Sequence, residues 1–115
     1  MAEYHQCPAE LLAEPAAIER VMRGAAEACG ATIVNSVFHH FNPHGVSGAV
    51  IIAESHLAIH TWPEYGYAAV DVFTCGDTIS PTEAVAYLAE HLGAKQHSFT
   101  EVLRGHVKTL SAMRG

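Results

Sequence analysis

The sequence predicts an α+β fold: a two-layer sandwich in which one antiparallel β-sheet carries two helices on one face. Three observations lead there. Apolar, β-branched runs at 31–38, 46–52, 57–59 and 68–74 follow one another through short connections, and consecutive strands so closely linked pair antiparallel. Two stretches, 15–29 and 81–92, repeat apolar residues at three- and four-residue steps, the pattern of a helix with one buried stripe. At 115 residues, with no linker, repeat or low-complexity segment, the chain fits a single domain spanning 1–115.

Residues 4–7 close a first short strand, and 8–14 lead into a helix with Pro15 near its first turn, where a missing N–H costs nothing. Ile18, Val21, Met22, Ala25 and Cys29 form its apolar stripe, Cys29 serving as a small core residue, while Glu19, Arg20, Arg23 and Glu27 turn to water. Gly30 is the left-handed stop. The strand at 31–38 runs into a histidine-rich loop at 39–45, where Asn42-Pro43 and Gly45 mark a turn. Val46 opens the strand that reaches Ile52, and Leu57 to Ile59 form the next. The link between them, Glu54-Ser55-His56, has none of the Gly, Asn or Asp that a tight hairpin recruits, so it reads either as a looser turn or as a strained bond put to chemical use. After a turn at 65–67, the strand at 68–74 sets Val70, Val72 and Thr74 on one side and Asp71 and Phe73 on the other. Ser80-Pro81-Thr82-Glu83 is a capping box opening the second helix, which Gly93 stops; a last strand is expected within 95–102, followed by a basic tail.

Composition narrows the function. No apolar run approaches the roughly 20 residues of a membrane helix and Met1-Ala2-Glu3-Tyr4 lacks a basic leader region, so a cytoplasmic, soluble protein is expected, with no membrane partner. A net charge of −6 with only 6 Lys plus Arg argues against nucleic acid and mildly favours a cationic ligand. The 3 cysteines suit neither a disulfide framework nor a zinc site, and the His39-His40-Phe41-Asn42-Pro43-His44 stretch matches no common ligand spacing, so no metal is expected.

Reactive side chains gather around the link. If the strands of His60 and Cys75 pair across the 63–66 turn, these two residues come near one end of the sheet, and a sharp reversal would add Ser55. Two enzyme readings follow. In a hydrolase, Ser55 or Cys75 would be the nucleophile and His60 its base, with Glu64 or Asp71 orienting it, although no Gly-x-Ser-x-Gly elbow is present. In a self-cleaving chain, the Ser55 hydroxyl would attack the carbonyl before it.

The run Gly45-Val46-Ser47-Gly48, Glu54-Ser55-His56-Leu57, Ile59-His60-Thr61-Trp62-Pro63-Glu64-Tyr65-Gly66-Tyr67, Asp71 and Phe73-Thr74-Cys75-Gly76 resembles the short bacterial and archaeal S-adenosylmethionine decarboxylases, near-continuously from about 30 to 76. Relatives carry a few more residues, including a Gly-x-His stretch, ahead of the first strand, where this sequence begins at Met1. The resemblance implies a proenzyme cut between Glu54 and Ser55 into a 1–54 β chain and a 55–115 α chain. Ser55 would form an ester with Glu54, and elimination and hydrolysis would turn it into a pyruvoyl group, the carbonyl that takes up the electrons released as CO₂ leaves, with neither pyridoxal phosphate nor metal.

By the same resemblance His60 removes the Ser55 α-proton, Ser47 assists by hydrogen bonding, and Cys75 reprotonates the decarboxylated carbon. A neutral imidazole and a thiol suit those tasks near neutral pH. Phe41 would stack on adenine, Glu64 would contact the polar part of the substrate, and Trp62 would either line the site or pack its wall. A homodimer of processed αβ units and a cationic small-molecule substrate are implied, the product being the aminopropyl donor of polyamine (spermidine) synthesis. Two alternatives stand beside it: decarboxylation of a basic amino acid, arginine or ornithine, on the same scaffold, and a processing-dead partner subunit.

Overall fold

The computed structural model describes residues 1–41, 44–53, 55–73 and 80–101. Its strands are β1 (Ala2–His5), β2 (Ile33–His40), β3 (Val46–Ile52), β4 (Ser55–Trp62), β5 (Tyr67–Phe73) and β6 (Gln96–Phe99); its helices are α1 (Ala9–Leu12), α2 (Pro15–Ala28) and α3 (Pro81–His91). Short links make β2 to β5 an antiparallel meander, and β1 inserts between β5 and β6 to give one antiparallel sheet in the order β2-β3-β4-β5-β1-β6. The expected α+β two-layer sandwich is thus present, with the one-turn α1 added ahead of α2.

Strand alternation sorts the sheet into two faces. Val46, Val50 and Ile52 of β3 and Leu57 and Ile59 of β4 point into the core with Ile18, Met22, Ala25 and Ala26 of α2 and Ala84, Val85 and Leu88 of α3. Each large aliphatic side chain buried there contributes about 1.5–3 kcal/mol. Two glycines let this layer close: a Cβ at Gly48 would overlap the Phe38 ring, and one at Gly24 the Tyr87 side chain that joins α3 to α2. The buried Tyr4 hydroxyl donates to the Val85 carbonyl (2.9 Å), tying β1 to α3. Among the described residues no helix covers the other face, called the helix-free face below, and Val37 (65% exposed), Ile51 (42%) and Trp62 (40%) stand exposed on it.

Cys29 is buried as expected, and Gly30 and Gly93 take positive φ after their helices. Four expectations are corrected. Ile52 pairs directly with Ser55, so the reversal takes only two positions, 53–54, rather than a looser turn, and Ser55 and His56 belong to β4. His39 and His40 are not loop residues but the end of β2, opposite Ser47 and Val46, because the ladder to β3 continues through them. Ser80 does precede α3, but its hydroxyl lies 3.2 Å from the Thr82 hydroxyl and caps no helical N–H. The last strand is Gln96–Phe99, shorter than expected, and 102–115 lie outside the described residues.

Candidate active site

Register decides which of the reactive side chains meet. Ser47 and His60 are directly opposed on β3 and β4, and both point to the helix-free face. The Ser47 hydroxyl lies 2.7 Å from His60 Nδ1, a short hydrogen bond that fixes the imidazole and leaves Nε2 outward. Beyond this pair the backbone ladder stops. The Val46 N–H is taken instead by the Thr61 hydroxyl (2.8 Å), which in turn donates to the Leu12 carbonyl of α1 (2.8 Å). A buried hydroxyl can serve there only because it both accepts and donates.

Where the ladder ends, the chain opens. Gly45 (φ +86°) runs so close to the Thr61 carbonyl that a Cβ would sit 2.8 Å from it. Trp62 ends β4 and Glu64 lies in the 3-10 turn Pro63–Tyr65. Between them is a cavity of about 340 Å³ lined by Phe41, His44, Ser47, His60, Trp62 and Glu64, near the lower end of the roughly 300–1,000 Å³ usual for small-molecule sites. Aromatic side chains continue outward from it, His60 against Trp62 (centroids 6.4 Å apart) and Trp62 against Tyr67 (5.3 Å). The Tyr67 hydroxyl donates to Glu3 (2.7 Å), and that bond to a carboxylate raises its pKa.

Five of the residues singled out from the sequence, Phe41, Ser47, His60, Trp62 and Glu64, therefore line one cavity. Ser55 does not. It stands at the opposite end of β4, five residues from His60, about 16 Å along a strand. It shares the side of its partner Ile52, which is 2% exposed and faces the core, whereas His60 faces away. β5 pairs Ala69 with His60 and its last described residue, Phe73, with His56, so the expected meeting of His60 and Cys75 at one end of the sheet falls on a residue beyond this register. Glu54 and Cys75 lie outside the described residues. His56 is a strand residue stacked on Phe73 (5.3 Å between centroids).

Sequence reasoning missed Thr61. Its signal was the alternation that turns it inward between the outward His60 and Trp62.

The family described as S-adenosylmethionine decarboxylase matches residues 1–105. A protein of Acidithiobacillus ferrooxidans named S-adenosylmethionine decarboxylase proenzyme is 56% identical over 107 residues, covering 93% of this chain and 80% of its own length. One of the same name from Thermosipho melanesiensis is 55% identical over 105 residues, 91% of this chain and 81% of its own. In three dimensions the chain is similar to the adenosylmethionine decarboxylase of Aquifex aeolicus, whose crystal structure superposes with a TM-score of 0.73 at 32% identity, covering 91% of this chain and 90% of that one.

Proposed function

Because the chain belongs to the S-adenosylmethionine decarboxylase family, we propose that it is a self-processing, pyruvoyl-dependent decarboxylase of S-adenosylmethionine whose active sites are each built from two copies of the chain. Its product is the aminopropyl donor for polyamine synthesis. The matching relatives are named for S-adenosylmethionine, and neither the basic-amino-acid alternative nor the processing-dead one finds support.

The observation that carries the two-copy reading is the separation of Ser55 from the Ser47–His60 pair. An imidazole about 16 Å along the strand cannot reach its own chain's Ser55, yet the pair is hydrogen-bonded and aimed outward over an open cavity. A two-fold dimer using the helix-free face covers Val37, Ile51 and Trp62, which a monomer leaves exposed, and brings the His60 end of one copy over the Ser55 end of the other, where the proton to be removed is on the Ser55 Cα in the strand rather than on its core-facing side chain. The product is a homodimer of processed αβ units, each with two chains, 1–54 and 55–115.

Ser55 suits the prosthetic group it must become, since it opens β4 directly after the link at which the chain is to be cut. In the proenzyme its hydroxyl attacks the Glu54 carbonyl, shifting the acyl group from nitrogen to oxygen. The partner copy's imidazole then takes the Ser55 α-proton as the Glu54 carboxylate leaves, and water hydrolyses the resulting dehydroalanine to the pyruvoyl group with loss of ammonia. Ser47 serves that step: when its oxygen accepts the Nδ1 proton, Nε2 is the free base. Once formed, the pyruvoyl carbonyl supplies the electron sink for loss of CO₂, with no pyridoxal phosphate or metal. Cys75 delivers a proton to the decarboxylated carbon. Phe41 offers its face to adenine, Glu64 its carboxylate to the cationic part of the substrate, and Trp62 closes the wall.

Intact-mass measurement tests the reading. Two fragments are expected, 1–54 and a 55–115 chain blocked at its N-terminus, with CO₂ released from S-adenosylmethionine and not from arginine or ornithine. A single uncut chain, or a Ser55→Ala variant that still cleaves, contradicts it.

A further inference from the structure

On the helix-free face the register sets three side chains in one row: His39 of β2 stands directly opposite Ser47 of β3, and Ser47 opposite His60 of β4. Directly opposed residues hold their Cβ atoms about 5 Å apart. The roles given above to Ser47 and His60 leave His39 without one. Its ring does not idle, however: it meets the Phe41 ring edge to face, 4.5 Å between centroids and 73° between planes.

Phe41 needs such a neighbour. It lies just beyond β2, is 52% exposed, and among the described residues its backbone is held there by a hydrogen bond from its N–H to the Gly45 carbonyl (2.9 Å). Among the described residues no other ring touches it. A phenyl ring free to swing loses that freedom when a flat ligand stacks on it, and an edge contact that holds it in place beforehand removes most of this cost.

We infer that His39 is a positioning residue for substrate binding: its imidazole holds the Phe41 ring as the wall on which the aromatic base of the substrate stacks, and it takes no part in self-cleavage. The strand pairing supplies the placement, since His39 is the last open-face residue of β2 and Phe41 the next position on that side. The inference rests on Phe41 being the substrate wall, and the experiment separates the two.

Steady-state kinetics with S-adenosylmethionine on the processed dimer provides the test. His39→Ala is expected to raise KM about two- to tenfold, the size of an edge contact between rings, with kcat and the rate of self-cleavage unchanged. His39→Phe, which keeps an aromatic edge, restores KM. Combined with Phe41→Ala, the His39→Ala change adds nothing further. His39 is exposed, and self-cleavage itself reports that the variants fold. A normal KM in His39→Ala beside a raised KM in Phe41→Ala overturns the role of His39 alone. A normal KM in Phe41→Ala overturns the wall and the inference together. Slowed self-cleavage in His39→Ala places the residue with Ser47 instead and contradicts the inference.

Discussion

The Ser47 hydroxyl sits 2.7 Å from Nδ1 of His60, across two strands whose pairing ends at that residue pair. Both groups are accessible from the helix-free face, so the bond lies at the surface and, in the proposed reaction, would orient the base. Ser47→Ala is expected to slow self-cleavage at least about tenfold, the loss of one orienting hydrogen bond worth about 1.4 kcal/mol. Its effect on folding stability is small. A time course of intact mass checks the first, and urea unfolding of the uncut Ser55→Ala chain, with and without the change, checks the second.

Thr61 is the opposite case. Its buried hydroxyl serves the Val46 N–H and the Leu12 carbonyl at once. In Thr61→Val both are left without that partner, which costs about 1–3 kcal/mol for each group that water cannot reach. Urea midpoints measured on the Ser55→Ala background should fall accordingly, and Thr61→Ser should recover most of the loss. Because this hydroxyl ends the ladder beside the cavity, the valine variant should also process more slowly.

How much of this was legible in the sequence depends on the distance over which each cause acts. Pro15, Gly30 and Gly93 act on their own backbone, and the stripe of α2 is a local periodicity, so helix limits could be read directly. The strand runs were equally plain. The link at 53–54 stays open between two readings in the sequence because its residues carry none of the usual turn chemistry, and His39-His40 read as loop residues because Asn42-Pro43 and Gly45 suggest an earlier break than the β3 ladder permits. The resemblance named the reactive residues, but not which of them meet. That depends on register, which pairs Ser47 with His60 across 13 residues and holds Ser55 at the far end of the same strand. No local pattern encodes it.

The helix-free face yields a further prediction. Ile51, 42% exposed on β3, belongs to the surface that a second copy would cover in the proposed dimer. Ile51→Lys should shift the protein from dimer to monomer in analytical ultracentrifugation and abolish self-cleavage at the same time, while circular dichroism stays native. A monomer that processes at the normal rate contradicts the shared site.

Stability should fall in alkali. Burial raises the pKa values of Tyr4, Cys7 and Cys29, so the fold favours their protonated forms. The unfolded chain releases these protons first. Their contribution is therefore complete below the unfolded values and is lost as pH rises from about 9 upward through the folded ones. Urea unfolding of the Ser55→Ala chain between pH 7 and 11 should show a steady decline, less steep in Cys7→Ala. A flat profile contradicts the burial argument.

The most direct measurement of the shared site is complementation between two inactive proenzymes. A His60→Ala chain retains Ser55, and a Ser55→Ala chain retains the Ser47–His60 pair. Each alone is expected to form no pyruvoyl group. When the two are co-expressed with tags of different mass, the His60→Ala chain should yield a 55–115 fragment with a blocked N-terminus, because the imidazole reaches it from the other copy. If mixed dimers form and the His60→Ala chain still yields no such fragment, each Ser55 depends on its own His60 and the two-copy site is wrong.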